Sequence, residues 1–316
     1  MPLSRRRFLS ASGTAAASLG APRVLWAAPP PVVFGYTGVT DFASVFVAVN
    51  EGFFRQRKLE VEPRLIPLNP TIPAALQSGA LHIGGPTASV LVQAVNGGLD
   101  LVVVSGGAVT SKEITHAGLV ARAGLGIHTA ADCVGKKIGV PGLDAFLHIT
   151  FRAWLKQQGV DHRRIQFVEA PFPLHVDLLR GGSVDALLTG EPYMSRMVDS
   201  NIGHVVSYYL TFLPDNRPTV LYAALRDWVR QNPETVRGFR EAVREGARFV
   251  RQPHNDARVR AALARFLKLP SEVLNKIPIV RPNAEIDREQ LAYWVDLMRE
   301  QNMLKTVPDV DRLIAK

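Results

Sequence analysis

One short glycine-containing signature occurs twice in this chain, and the duplication limits the folds that the chain can adopt. Three residues of the segment Phe34–Phe42 recur 104 positions later in Ile138–Phe146, pairing Gly35 with Gly139, Gly38 with Gly142, and Phe42 with Phe146. In each copy an apolar run leads into a glycine turn that carries an aspartate, and then into an apolar helical pattern. This is the pattern of a strand whose carboxyl end meets a helix N-terminus. The sequence therefore predicts two similar halves that present their turns to one shared ligand.

A second repeated pattern supports the duplication. Leu76–Gly79 precedes an apolar run at Leu81, as Leu179–Gly182 precedes one at Val184, 103 positions later. Strand patterns alternate with helix patterns in both halves, which predicts parallel sheets with right-handed crossovers. We therefore expect an α/β protein with two doubly wound lobes of the same architecture.

Two apolar segments outside the repeat, His116–Arg122 and Pro218–Leu225, predict strands that cross between the lobes. They divide the chain into a first lobe, residues 29–117 and 218–316, and a second lobe, residues 118–217. After the second crossing strand, Asn232 is followed by a proline and a glutamate, which predicts a capped helix start. Further helical patterns follow it, so we expect a C-terminal helical tail that packs on the first lobe.

The first 28 residues have the composition of a targeting segment. Ser4–Leu9 contains three consecutive arginines, a weakly apolar run follows at Ala11–Gly20, and small residues lie near Ala28. This order predicts a signal peptide for twin-arginine export, too short and too interrupted to span a bilayer. The single cysteine, Cys133, lies far from the expected cleavage site, which excludes an intrachain disulfide and a lipid-attached cysteine there. We expect a soluble periplasmic protein.

Motifs that indicate catalysis or nucleic-acid binding are missing from the sequence. It contains no nucleophile elbow, phosphate-binding loop or dinucleotide fingerprint, and none of its eight histidines lies four positions from another. One cysteine cannot form a thiolate cluster. The formal charge of +9 falls to +5 when the four leader arginines are removed, and that charge is spread along the chain. We therefore expect no enzymatic activity, no metal or cofactor, and no nucleic-acid partner.

In an open two-lobed α/β protein, ligands bind at the carboxyl ends of strands, near helix N-termini. At such positions glycine N–H groups can approach a ligand, hydroxyl groups can orient it and aromatic rings can cover it. The residues that we predict to bind a ligand are Thr37, Gly38, Asp41, Phe42, Gly85, Thr87, Gly106, Gly142, Asp144, Phe146, Glu191 and Tyr193.

Structural roles stay open for some of these residues. Asp41 and Asp144 occupy positions where a helix cap is expected, and Phe42 and Phe146 have the spacing of core residues. Glu191 opens a helix, where an acid also suits the helix dipole.

Several ordered stretches in both halves carry a resemblance to a known family. They are Ala48–Phe54 with Leu59–Val61, Ala75–Gly79 with His82–Gly84, Gly135–Pro141, and Leu179 through Asp185-Ala186 to Glu191-Pro192. With these stretches the chain resembles the solute-binding proteins of ATP-binding-cassette importers for nitrate, sulfonate and taurine, which include thiamine-pyrimidine precursor-binding proteins. The resemblance implies a type II periplasmic-binding-protein fold, closure of two lobes over a small ligand, and docking on a membrane permease. We expect a monomer.

The predicted site departs from that of a simple anion binder. Asp41, Asp144 and Glu191 would each repel an oxyanion in a cleft of low dielectric. The ligand therefore stays open between a sulfonate-, taurine- or nitrate-like compound and a zwitterion, a cation or a pyrimidine-like heterocycle.

Two other functions on the same fold also stay open. One is an enzyme similar to pyrimidine-forming enzymes or chorismate dehydratases, although the former use a cysteine-rich iron motif that Cys133 alone cannot supply. The other is a ligand-sensing periplasmic module of a signalling receptor.

Overall fold

The computed structural model describes residues 30–315, so the predicted signal peptide, residues 1–28, lies outside the described residues. Strands and helices alternate along most of this range. The strands are β1 Val32–Tyr36, β2 Val61–Leu65, β3 Ile83–Gly84, β4 Leu101–Val109, β5 Ala117–Arg122, β6 Lys137–Val140, β7 Gln166–Glu169, β8 Ala186–Gly190, β9 Gly203–Ser207, β10 Pro218–Leu225 and β11 Arg281–Pro282.

Most α-helices follow a strand directly or through a short 3-10 helix. The α-helices are α1 Ala43–Asn50, α2 Ile72–Gln77, α3 Ala88–Asn96, α4 Phe146–Gln157, α5 His175–Arg180, α6 Tyr193–Asp199, α7 Arg226–Gln231, α8 Pro233–Val250, α9 Asp256–Leu267, α10 Ser271–Leu274 and α11 Arg288–Glu300. The 3-10 helices next to the cavity described below are Thr40–Phe42, Asn69–Thr71 and Phe172–Leu174.

The strands form two sheets with the same internal order. Sheet A runs β2-β1-β3-β10-β4-β11, and sheet B runs β7-β6-β8-β5-β9. In sheet A, β1 pairs in parallel with β2 and β3, whereas β10 pairs antiparallel with β3 and β4. In sheet B, β6 pairs in parallel with β7 and β8, whereas β5 pairs antiparallel with β8 and β9. This shared order confirms the predicted repeat of architecture.

In the interior of each sheet, the strand that runs antiparallel to its neighbours is the one that the sequence placed outside the repeat, and sheet A adds β11 antiparallel at its edge. Strand β5 follows the last sheet A strand of the first half and joins sheet B, and β10 returns the chain to sheet A. Both sheets belong to one compact unit that begins at Pro31. The lobe boundaries at residues 118 and 217 stay a prediction.

Some elements differ from the sequence-based expectation. The sequence patterns did not predict β9, α7 or β11. Asn232 does not cap α8 with its side chain, because its amide Nδ2 donates to the carbonyl oxygen of Trp228 in α7, at 2.8 Å. The predicted helical tail is present, and α8 packs against α1 beside sheet A. Within residues 30–315, no helix combines the length and the apolar character needed to cross a membrane.

Phe42, a predicted ligand contact, lies in the core beneath sheet A. Its side chain has no solvent exposure. Its ring centroid lies 6.1 Å from those of Phe34 and Tyr36 and 6.2 Å from those of Phe46 and Tyr222. Strand β1 and helix α1 hold the ring between them on the side away from solvent, which favours the core role for Phe42. The predicted contact of Phe42 with a ligand stays a prediction.

Replacing Phe42 tests this core assignment. We expect Phe42→Ala to lower the free energy of unfolding by about 3–5 kcal/mol, since it empties a closely packed aromatic cluster. Urea denaturation measures the change. The matched control is Leu65→Ala at a side chain that is 43% exposed, for which the change should stay within about 0.5 kcal/mol. A loss below about 1 kcal/mol for Phe42→Ala would contradict the assignment.

Candidate ligand-binding site

A cavity of about 50 Å³ lies where parallel strands of both sheets end. This volume is enough for a few water molecules or a small ligand. Residues that follow β1, β2 and β3 line it from the sheet A side, and residues at the ends of β6, β7 and β8 line it from the sheet B side. The lining residues are Thr37, Val39, Asp41, Asn69, Thr87, His116, Ala117, Pro141, Ala145, Phe146, Leu147, Phe172, Gly190, Thr219 and Val220.

Asn69 fixes the loop that carries Thr87. Its amide Nδ2 donates to the carbonyl oxygen of Gly85 at 3.0 Å, and its Oδ1 accepts from the backbone N–H of Thr87 at 2.8 Å. The Asn69 side chain is buried, so these bonds form away from bulk water. Sequence reasoning missed Asn69, although its position between β2 and a helix-starting proline matches that of the predicted site residues.

The crossing strands supply two further polar residues that sequence reasoning missed. Thr219, in β10, donates its hydroxyl to Asp41 Oδ1 at 2.5 Å, which fixes the carboxylate at the cavity. His116, just before β5, has its Nδ1 3.2 Å from the carbonyl oxygen of Ile114. A carbonyl can only accept, so this bond places a proton on Nδ1 and leaves Nε2 as an acceptor in the neutral ring. Both residues could have been predicted from the sequence, because strands that cross between the lobes lie beside the cleft.

Four predicted site residues line the cavity, namely Thr37, Asp41, Thr87 and Phe146. Asp41 is not a helix cap, because the N-terminus of α1 has no side-chain cap and the carboxylate bonds to Thr219. Phe146 begins α4 and also packs edge-on against Trp294, with ring centroids 5.4 Å apart. Their contacts with a ligand stay a prediction.

The four predicted glycines lie outside the cavity lining. A Cβ at Gly85 would come within 2.1 Å of the Phe42 ring, and one at Gly106 within 2.4 Å of the Asn283 carbonyl oxygen. Gly85 and Gly106 are therefore positions where close packing excludes a side chain. Their predicted contact with a ligand stays a prediction. Gly38 and Gly142 lie instead where the two sides of the cleft touch each other, against Tyr193 and Pro70.

Asp144 also lies outside the lining. Its carboxylate is 3.1 Å from the Arg152 guanidinium and 3.5 Å from His148 Nδ1, and these two neighbours, His148 first, hold the pKa of Asp144 below its ordinary value. Asp144 does not cap α4, whose N-cap residue is Ala145 and has no side-chain hydrogen bond. The structure thus shows Asp144 in an ion pair with Arg152, and its expected contact with the ligand stays a prediction.

Glu191 and Tyr193 are buried beside the cavity without lining it. Glu191 accepts hydrogen bonds from the Ser195 hydroxyl at 2.7 Å and the Ser195 N–H at 3.2 Å, while burial raises the pKa of its carboxyl. The Tyr193 ring stacks on Phe172, and burial raises the pKa of Tyr193 to about 12, so its hydroxyl stays protonated. Both residues support the sheet B side of the cleft, and their predicted role as direct contacts stays a prediction.

Comparison with known proteins gives the family. The sequence profile of the NMT1-like family matches residues 27–264. This chain belongs to the NMT1-like family. It is 26% identical over 271 residues to the nitrate import ATP-binding protein NrtC of Synechocystis sp., a match covering 81% of this chain and 40% of NrtC. The NMT1-like chain thus spans less than half the length of this curated relative.

Solved structures of low sequence identity share the fold. The alkanesulfonate-binding protein SsuA from Xanthomonas axonopodis pv. citri, bound to MOPS, superposes with a TM-score of 0.76 at 17% identity, over 92% of this chain and 99% of SsuA. The periplasmic nitrate-binding protein NrtA from Synechocystis PCC 6803 gives a TM-score of 0.72 at 16% identity, over 91% of this chain and 87% of NrtA. The predicted type II periplasmic-binding-protein fold and the predicted resemblance are confirmed.

The NMT1-like cavity has an unusual charge for an anion site. Among its described lining residues, Asp41 is the one carboxylate, and none is a lysine or an arginine. The other polar groups are hydroxyls, one amide and one imidazole. In the part of the chain that the structure describes, no three His, Cys, Asp or Glu side chains are grouped so as to hold a metal ion. The cavity can therefore hold a solute by hydrogen bonds and one negative charge.

The buried Glu191 gives a pH prediction. Because its folded-state pKa is raised above 4.5, the Glu191 carboxyl binds more protons in the folded protein than in the unfolded chain, and its contribution to stability falls as pH rises from 4.5 through the folded-state pKa. Glu191→Gln removes that titration. We expect the stability of the variant relative to wild type to increase between pH 4.5 and pH 7.5, whatever constant cost the lost Ser195 bond adds. Urea denaturation at both pH values measures the difference, and a relative stability that stays constant or falls would contradict the burial effect.

Proposed function

We propose that this NMT1-like protein is the solute-binding component of an ATP-binding-cassette importer. Two lobes, residues 29–117 with 218–316 and residues 118–217, close over a small solute in the cavity and deliver it to a membrane permease. The fold shared with nitrate-binding and alkanesulfonate-binding proteins over 91% and 92% of this chain supports this role. The strands β5 and β10 would act as the hinge, because they carry the chain from one sheet to the other.

The proposal includes export and a purely binding role. Residues 1–28 would direct the chain through the twin-arginine route to the periplasm, where it acts as a monomer. The protein would bind its solute and release it unchanged, without a nucleic-acid partner. Affinity would come from hydrogen bonds formed in the closed cleft, and release would follow when the permease favours the open form.

The proposal about the class of solute is based on the charge of the cavity lining. Asp41 lines the cavity from the sheet A side, and the lining described above supplies no cationic side chain to neutralise an anion. An oxyanion next to Asp41 would be repelled and poorly solvated. A solute with an N–H or O–H donor would instead form a hydrogen bond to this carboxylate. We therefore assign the site to a small neutral or cationic solute, such as an amine or an amino-substituted heterocycle.

The rest of the lining fits such a molecule. The hydroxyls of Thr37 and Thr87 can donate or accept, and His116 Nε2 offers an acceptor. Phe146 and Phe172 bring aromatic rings to the sheet B side, which suits the apolar part of an organic solute.

A ligand panel tests the proposed function. Thermal shift and calorimetry would compare nitrate, ethanesulfonate, taurine, ethylamine and 4-aminopyrimidine. We expect nitrogen-donor compounds to stabilise the protein, by about 2.7 kcal/mol at a hundred times Kd, and to be recovered unchanged by mass spectrometry. Binding of nitrate or ethanesulfonate alone would contradict the solute class. Turnover of a compound would contradict the binding role.

Asp41→Asn tests which group holds the solute. The variant keeps the side-chain shape but removes the charge, so affinity for the nitrogen-donor compound should fall about 10- to 100-fold, the range for a hydrogen bond to a charged group. Asp177→Asn, at an exposed carboxylate on α5, is the matched charge control and should leave the affinity unchanged. Equal affinities of wild type and Asp41→Asn in calorimetry would remove Asp41 from the site.

A further inference from the structure

The two glycines repeated at the centre of the sequence signature lie at the contacts between the two sides of the cleft. Gly38 follows β1 on the sheet A side, and a Cβ on it would be 2.9 Å from Tyr193 Oη, on the sheet B side. Gly142 follows β6 on the sheet B side, and a Cβ on it would be 2.6 Å and 2.7 Å from Cδ and Cγ of Pro70, on the sheet A side. Each copy of the signature thus places a glycine against the opposite side.

Neighbouring groups restrain both partners. The Tyr193 ring is 8% exposed, and it stacks on Phe172 with centroids 5.6 Å apart and packs against His175 at 5.8 Å. Pro70 has a rigid ring within the 3-10 helix Asn69–Thr71, next to the Asn69 side chain that is bonded to the neighbouring loop. A side chain at either glycine would therefore push the two sides of the cleft apart.

We propose that Gly38 and Gly142 set how far the cleft closes and thereby the size of the solute that the cavity accepts. They are positioning residues, because they contact the opposite side of the cleft and do not line the cavity. The absence of two side chains lets Thr37 and Asp41, on one side, approach Phe146 and Phe172, on the other, around a space of about 50 Å³. This inference rests on the proposed capture of a solute by closure.

The two glycines differ in backbone conformation. Gly142 has a φ of +138°, which an L-residue rarely adopts, so an alanine there is also strained locally. Gly38 does not have a positive φ, so an alanine there meets one close contact, with Tyr193, and an ordinary van der Waals contact with Leu65 Cδ1 at 3.5 Å. A partner substitution that removes the clashing atoms relieves the contact across the cleft but leaves the local strain unchanged.

The test compares each glycine variant with a double variant in which the residue across the cleft is also replaced by one that lacks the clashing atoms. Gly142→Ala is paired with Pro70→Ala, and Gly38→Ala with Tyr193→Phe. Spin labels at Gln77→Cys and Arg180→Cys, exposed at equivalent positions of the two halves, report the distance across the cleft in a Cys133→Ala background. Double electron–electron resonance would be recorded for the free protein and with every compound of the ligand panel.

We expect wild type to show a short-distance component that corresponds to the closed cleft. Gly142→Ala should reduce this component and the solute affinity about tenfold, and Pro70→Ala in the same chain should restore both. Gly38→Ala should act in the same direction, and Tyr193→Phe should restore closure. Pro70→Ala and Tyr193→Phe alone should keep the short component.

The outcomes distinguish this inference from the proposed function. A short component that persists in Gly142→Ala and Gly38→Ala, or double variants that fail to restore it, would overturn the role of the glycines while leaving solute capture intact. A wild-type protein without a short component in every condition would overturn capture by closure, and this inference with it.

Discussion

Parallel strands present their carboxyl ends at one edge of a sheet, and in this protein two such edges meet at one cavity. Residues that follow β1, β2 and β3 face residues at the ends of β6, β7 and β8, so six strand ends contribute to a space of about 50 Å³. The two crossing strands connect these edges. Strand β5 follows the first-half strands of sheet A and pairs antiparallel with β8 in sheet B, and β10 follows the strands of sheet B and pairs antiparallel with β3 in sheet A. Thr219, His116 and their neighbours on these strands then complete the lining. The topology of the two sheets thus determines where the site lies, and the side chains at the strand ends then line it.

Electrostatics then narrows what the cavity can hold. Of the three acids that the sequence placed near the ligand, Asp144 is neutralised by Arg152, and Glu191 is buried against Ser195. Asp41 alone of these three presents its carboxylate at the cavity, fixed by the Thr219 hydroxyl. A single fixed carboxylate among hydroxyls and aromatic rings favours a donor-bearing solute over an oxyanion. The solved structures with nitrate or alkanesulfonate in their names share the fold, and the solute proposed for this protein rests on this local charge.

Much of the fold could be predicted from sequence, because it depends on local periodicity and on the repeat. The pattern located β10 at its observed bounds and predicted the similarity of the halves. It missed β9, whose segment Gly203–Ser207 lacks a strong apolar alternation, and α7, which ends at Gln231, directly before the asparagine that we predicted to be an N-cap. The directions and the burial of the site's side chains were harder to predict from the sequence. The direction of Asp41 depends on Thr219, 178 positions away, and the burial of Phe42 depends on Tyr222 in the same distant strand. Local sequence does not contain such long-range partners.

We propose that one cavity between the two sheets holds a donor-bearing solute against Asp41. A crystal structure of protein purified from its native host without refolding tests this most directly, because a solute retained from the cell would be visible in the electron density. We expect density between Asp41 and Phe146, with a nitrogen or hydroxyl group of the solute within hydrogen-bond distance of the Asp41 carboxylate. Density for an oxyanion at that position, or for a solute bound elsewhere on the protein with the cavity occupied only by water, would contradict it.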